Sequence, residues 1–78
     1  MITSKQIQKE LNKIYPEIKF YTGDGYFYLM GRAEGIDTAM FPAASIYVCR
    51  LKHQSFERWI QDALNLIREG IAYNKKYG

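Results

Sequence analysis

Three segments of the chain alternate large apolar side chains with other residues in the two-residue period of β-strands. They are residues 17–22, residues 26–30 and residues 45–51, and the short turn Gly23-Asp24-Gly25 separates the first two. Side chains along a strand point to opposite faces in turn, and glycines supply the positive φ angles that a tight hairpin needs. The pattern therefore predicts a three-stranded antiparallel sheet with residues 26–30 as its central strand.

A helix is predicted before the sheet. Either Thr3 or Ser4 is a good N-cap, and Thr3 with Gln6 fits a capping box, which would satisfy two free backbone N–H groups at the start of a helix. Ile7, Leu11 and Ile14 then fall on one narrow apolar stripe. This spacing predicts a helix that runs to about residue 14 and stops before Pro16, because the residue before a proline avoids helical angles.

A second helix is predicted from the N-cap Ser55 to about residue 69. Its broad apolar face is made of Phe56, Trp59, Ile60, Ala63, Leu64 and Ile67. Gly70 either ends this helix or lies inside it, if the helix continues through Ile71 and Tyr73, and residues 74–78 are expected to fray.

These elements predict a single domain, residues 1–78, of the α+β class, with the order helix, three antiparallel strands, helix. Both helices must bury their apolar stripes, and one face of the sheet is the only surface large enough. That face consists of Ile18, Phe20, Phe27, Leu29, Ile46 and Val48. Both helices are therefore expected on this face, and the opposite face of the sheet remains open.

Residues 31–44 have the composition of a long loop, with two glycines and a proline. The loop also carries the apolar residues Ile36, Met40 and Phe41. Two interpretations remain open: these residues fold back onto the core, or they present a binding surface.

The open face of the sheet is rich in tyrosine. By strand parity it holds Lys19, Tyr21, Tyr26, Tyr28, Met30, Tyr47 and Cys49. Tyrosines pack well between neighbouring strands, so packing alone is one explanation of the cluster. The other is recognition, because tyrosines offer rigid contact area to a protein and stack on unpaired bases. We call Tyr21, Tyr26, Tyr28 and Tyr47 the tyrosine face; with Lys19 at its margin, they are the candidate protein-binding residues.

A row of lysines provides the alternative site. Lys5, Lys9 and Lys13 recur every four residues and centre on the side of the first helix opposite its apolar stripe. The row is either the solvated back of the helix or a ridge that binds phosphates or an acidic protein surface.

No catalytic or metal-binding constellation is present in the sequence. His53 has no cysteine or carboxylate motif beside it, and Cys49 has no activating partner. The segment Gly23-Asp24-Gly25 is too short to cradle a phosphate. We therefore expect no enzymatic activity, no cofactor and no metal.

Charge and cysteine content add little more. The net charge of +3 permits an acidic partner without requiring one. A single cysteine excludes an internal disulfide and suits a reducing compartment. No apolar run approaches the roughly 20 residues of a membrane span. A cytoplasmic protein with no membrane partner is therefore expected.

The predicted element order resembles that of the double-stranded-RNA-binding domain over nearly the whole chain. That family places a lysine cluster at the start of its last helix, where this chain has His-Gln-Ser-Phe-Glu-Arg at residues 53–58. Its first hairpin loop enters a minor groove, whereas residues 23–25 form only a short turn. The RNA-contacting residues of the family therefore do not carry over to this chain.

Four short motifs resemble small proteins of uncharacterised function that bacteriophages and prophages encode. They are Gly-Tyr-Phe-Tyr at residues 25–28, Ser-Ile-Tyr-Val at residues 45–48, Arg-Leu at residues 50–51, and Ser-Phe at residues 55–56 followed by Trp59. The resemblance implies an accessory protein of a phage or mobile element. Small proteins of this origin often inhibit a host enzyme or defence complex, and anti-CRISPR proteins are among them.

These observations lead to one preferred function and one alternative. We expect a non-enzymatic module that binds a host protein or protein complex through the tyrosine face, in the cytoplasm of the host cell; homo-oligomers are compatible with this function. The alternative is a nucleic-acid-binding module that uses the lysine row or the tyrosine face.

Overall fold

The computed structural model describes all 78 residues and has the predicted α+β architecture. Helix α1 spans Ser4–Asn12, strands β1 to β4 span Ile18–Thr22, Phe27–Ala33, Ile36–Asp37 and Ser45–Ile46, and helix α2 spans Phe56–Tyr77. Short 3-10 turns at Thr38–Met40 and Leu51–His53 lie in the connections. Strand β2 is central and antiparallel to its neighbours: β1 lies along one of its edges, and β4 and β3 pair with the other.

Both helices pack on one face of the sheet and form a single core with it. The core residues from the sheet include Ile18, Phe20, Phe27, Leu29 and Ile46, as the strand parity predicted. Trp59 of α2 is wholly buried at the centre, with its ring edge-on to Phe20 and Phe27 at centroid distances of 5.9 and 4.9 Å. The indole N–H donates a hydrogen bond to the carbonyl of Leu51 over 2.8 Å. Val48, the remaining predicted core residue, is only half-buried.

Helix α1 begins at the predicted capping box and ends earlier than predicted. The Thr3 hydroxyl accepts from the Gln6 amide over 3.2 Å, and the Gln6 side chain accepts from the Thr3 amide over 2.9 Å. The helix ends at Asn12, whose side chain donates to the carbonyl of Tyr15 and turns the chain towards β1. Ile14 lies beyond the helix and is 53% exposed, so its predicted place in the apolar stripe is wrong.

Residues 31–44 are not a featureless loop, which corrects the prediction. Strand β2 continues to Ala33, and the chain returns as β3 after a two-residue turn. Glu34 and Gly35 form this turn with φ angles of 51° and 79°, the pair of positive values that a type I′ hairpin requires. The sequence did not reveal the hairpin because glutamate is not a residue that favours positive φ.

The predicted loop folds back onto the core through Ile36 and Phe41 but leaves Met40 at the surface, so the first interpretation holds for Ile36 and Phe41 and the second stays open for Met40. Phe41 is buried against Gly70 of α2, and Ile36 is half-buried against the core, while Met40 stays 60% exposed. The Asn74 side chain of α2 donates a hydrogen bond to the carbonyl of Met40 over 2.9 Å, which holds the segment after β3 against α2.

Two further element boundaries differ from the prediction. The strand expected at residues 45–51 ends at Ile46. Ile46 pairs with Phe27, the first residue of β2, so the antiparallel strand β2 has no residue left to pair with Tyr47. Helix α2 continues through Gly70 to Tyr77, so the tail expected to fray is helical.

Candidate protein-binding face

The tyrosine face is one continuous band of aromatic rings. The rings of Tyr21 and Tyr28 have centroids 5.6 Å apart, those of Tyr28 and Tyr26 are 5.8 Å apart, and those of Tyr26 and Tyr47 are 5.9 Å apart. Strand register explains the first contact, because Tyr21 lies opposite Tyr28 across β1 and β2. Ser45 of β4 lies opposite Tyr28 on the other side, and the same register continued past the end of β4 brings Tyr47 beside Tyr26. The structure therefore brings together all four tyrosines that strand parity placed on one face.

The two ends of the band are more exposed than its middle. Tyr21 is 44% and Tyr47 is 82% exposed, whereas Tyr26 and Tyr28 are half-buried. The Tyr26 ring lies against Gly23, where an added Cβ would come within 2.5 Å of the ring. The middle of the band is thus held in place by neighbouring groups, and its ends are free to make new contacts.

None of the four hydroxyl groups is used inside the protein. The side-chain hydrogen bonds of the chain come mainly from glutamine, asparagine and capping residues, and no hydroxyl of the tyrosine face takes part. A tyrosine hydroxyl both donates and accepts, so each ring presents an apolar body with an uncommitted polar tip.

The margin of the band is mixed in character. Exposed Lys19 of β1 lies opposite Met30, which is 49% exposed, and Arg32 lies opposite Asp37 across β2 and β3. A groove of about 310 Å³ runs beside the band and is lined by Tyr26, Tyr28, Leu29, Met30, Asp37, Thr38, Ala39, Ala44 and Ser45. The face therefore combines aromatic, aliphatic and polar groups with few cations.

The lysine row lies on the other side of the molecule. Lys5 and Lys9 are exposed on α1, and Lys13 is exposed directly after its last residue; α1 packs on the core face of the sheet. The ammonium of Lys13 pairs with the Glu10 carboxylate over 3.2 Å, a surface contact that leaves the row largely basic. One flat binding surface cannot reach both this row and the tyrosine face.

Cys49 and His53 are both exposed. Cys49 lies at a bend beyond β4, and His53 lies at the end of the second 3-10 turn. No three histidine, cysteine, aspartate or glutamate side chains come close enough to hold a metal ion. Neither helix has the length and apolar character that a membrane span requires.

The sequence interpretation overlooked a second aromatic pair. The rings of Tyr73 and Tyr77 have centroids 4.9 Å apart near the end of α2, and the Lys76 ammonium lies 5.2 Å from the Tyr77 ring centroid. The four-residue spacing of the tyrosines was the available signal, but it has meaning only if α2 continues past Gly70.

Comparison of the chain with models of known protein families, with curated proteins and with solved structures finds no match.

Proposed function

We propose that this protein is a non-enzymatic binding module whose tyrosine face docks onto another protein. The observation that carries the proposal is the uninterrupted band of four tyrosine rings on the one sheet face that neither helix covers. Tyrosine anchors provide large contact areas at low entropy cost, and a few such residues usually supply most of the binding energy of an interface.

Cross-strand packing accounts for only part of the band. It explains why Tyr28 contacts Tyr21 across β1 and β2, because aromatic neighbours on paired strands stabilise a sheet by roughly 0.2–1 kcal/mol for each pair. Tyr47, however, extends the band while remaining 82% exposed, so most of its ring contributes nothing to the buried core. A partner that covered it would remove this apolar surface from water.

The charges of the face favour a protein over a nucleic acid. Lys19 lies at the margin of the band without a carboxylate partner in the chain, and Arg32 lies opposite Asp37. Nucleic-acid affinity depends on neutralising many phosphates, for which the band provides too few cations. The resemblance to phage-encoded proteins points to a host enzyme or defence complex as the class of partner.

Nucleic-acid binding remains the second candidate, because Lys5, Lys9 and Lys13 form an exposed basic row along α1 and its C-cap. Fluorescence anisotropy with a labelled single strand and a labelled duplex tests it directly. We expect no binding at about 150 mM salt, and saturable binding that the triple lysine-to-glutamine variant abolishes would favour the second candidate.

The first candidate is tested by partner capture with matched baits. Wild-type protein, Tyr28→Ala and Tyr73→Ala are immobilised at equal density and exposed to host lysate. We expect wild type and Tyr73→Ala to retain the same partner and Tyr28→Ala to lose it. Tyr73 is a suitable control because it is a partly exposed tyrosine outside the face. Equal capture by all three baits would contradict the proposal.

A further inference from the structure

The sheet has one edge that its own chain covers. On the outer side of β1, the Gln8 side chain accepts from the Phe20 amide over 2.7 Å and donates to the Ile18 carbonyl. The Asn12 side chain donates to the same carbonyl over 2.8 Å. Side chains of α1 thus occupy the backbone groups through which a further strand would pair with β1.

The opposite edge, at β4, is open. The Leu29 amide donates to the Ala44 carbonyl over 2.8 Å, and Ile46 pairs with Phe27. The backbone N–H and C=O groups of Ala44 and Ile46 therefore point towards β2. The backbone groups of Ser45 and Tyr47 therefore point away from β2. The backbone of residues 47–49 makes no hydrogen bond with other backbone groups. This Tyr-Val-Cys stretch has the composition of a strand, yet it has no strand partner.

The two sides of this open edge differ in chemistry. On the helix side, a groove of about 260 Å³ lies between β4 and α2 and is lined by Ser45, Ile46, Asp62, Asn65, Leu66 and Glu69. Its lining includes two carboxylates and no cation; Asp62 is paired with Arg58 over 3.2 Å, while Glu69 has no ion pair. On the other side, the exposed ring of Tyr47 ends the tyrosine face.

We infer that residues 45–48 receive an extended segment of the partner protein as an additional strand, and that this segment alternates basic and apolar residues. The basic side chains of such a strand would point to Glu69 and its neighbours, and the apolar ones would lie against Tyr47. The inference rests on the proposed function, since the added strand extends the same sheet and the same tyrosine face.

A second copy of this chain fits the edge less well. Edge-to-edge pairing in a dimer is symmetric, so it would bring the carboxylates of Asp62 and Glu69 in one copy towards those of the other. Repulsion between like charges at close range opposes such pairing, whereas a lysine or arginine in the partner segment would be attracted to these carboxylates.

The test uses a synthetic peptide of about eight residues that alternates lysine and valine, with both ends blocked. Hydrogen exchange of the ¹⁵N-labelled protein is followed by NMR. We expect the peptide to slow exchange of the Ser45 and Tyr47 amides by at least about tenfold. A glutamate–valine peptide and a lysine–valine peptide methylated on alternate backbone nitrogens should give no protection. Protection that is absent with the first peptide, or equal with all three, would overturn the inference.

Variants of the edge provide a second readout. Tyr47→Pro removes an outward-facing N–H and should abolish peptide protection, whereas Tyr47→Ala keeps this donor and should retain part of it. Glu69→Lys should lower the affinity for the lysine–valine peptide by about fivefold or more. Sedimentation equilibrium of the free protein should show monomers at NMR concentration, and a dimer whose formation protects Ser45 and Tyr47 would overturn the choice of partner.

Failure of this inference is distinguishable from failure of the proposed function. If the peptide leaves the edge amides unprotected while Tyr28→Ala still loses the captured partner, the added strand is wrong and the tyrosine interface stands. If the peptide protects the edge while Tyr28→Ala keeps the partner, the edge binds a strand without the tyrosine face and the proposed function fails.

Discussion

Gly70 provides a test of the packing between α2 and the segment before β4, because two effects of opposite sign meet there. Gly70 lies inside a 22-residue helix, where replacement by alanine normally stabilises by about 0.5–1 kcal/mol. A Cβ at this position, however, would lie 2.3 Å from Cγ and 2.5 Å from both Cδ atoms of Phe41. These atoms belong to the base of a buried ring, which has little room to move aside.

The expected magnitude follows from the burial of Phe41. This ring is 9% exposed, and complete loss of a buried phenylalanine side chain costs about 3–5 kcal/mol. Losing even half of that contribution outweighs the gain in helix propensity. We therefore expect Gly70→Ala to destabilise the protein by about 1–3 kcal/mol. For a chain of 78 residues with a total stability of about 4–12 kcal/mol, this is a large change.

A double-mutant cycle isolates the contact. In a Phe41→Ala background the ring is gone, so Gly70→Ala should stabilise by about 0.5–1 kcal/mol instead. Urea unfolding followed by circular dichroism gives both free energies, with Trp59 fluorescence as an independent probe. A stabilising effect of Gly70→Ala in the wild-type background, or the same effect in both backgrounds, would refute the packing described here.

The remaining predictions concern the central strand, the core and the exposed polar residues. Gly31→Ala should destabilise by about 3 kcal/mol or more, because Gly31 has φ +106° and an added Cβ would lie 2.0 Å from a backbone carbonyl oxygen. Gly35→Ala, with φ +79° and no atom within 4 Å of the added Cβ, should cost only about 1–2 kcal/mol by the same urea assay, and equal costs would contradict this account. Leu64→Ala should cost about 2–5 kcal/mol of unfolding free energy, and a cost below 1 kcal/mol would mean that its site collapses around the smaller side chain. His53→Ala and Cys49→Ser should leave partner affinity unchanged, and a hundredfold loss from either would reveal a catalytic or binding role.

The features that the sequence predicted are those that local spacing determines. The capping box of Thr3 and Gln6 and the N-cap Ser55 depend on residues three positions apart, and both are present. Strand parity depends on the two-residue period alone, so it also placed Tyr21 and Tyr28 correctly on the open face. The fold class and the candidate face follow from such local patterns together with the need to bury two helices.

The features that the sequence did not predict depend on contacts between distant segments. Residues 47–49 have strand composition, but whether they pair depends on where β2 begins. Gly70 resembles a helix terminator in sequence, and its position inside α2 makes sense only once Phe41 packs against it. The hairpin after β2 places Glu34 at φ 51°, a conformation that glutamate adopts only when the paired strands impose it.

The central claim is that the tyrosine face, and not the lysine row, binds the partner. The most direct measurement is the Kd of the purified partner for wild type, Tyr28→Ala and the combined Lys5→Gln, Lys9→Gln and Lys13→Gln variant, at about 50 mM and about 200 mM salt. Circular dichroism must first show that each variant is folded, and Tyr28→Phe serves as the control that keeps the ring. We predict that Tyr28→Ala weakens binding by about thirtyfold at both salt concentrations while the lysine variant binds like wild type. A lysine variant that loses binding, with a steep salt dependence and an unaffected Tyr28→Ala, would contradict the claim.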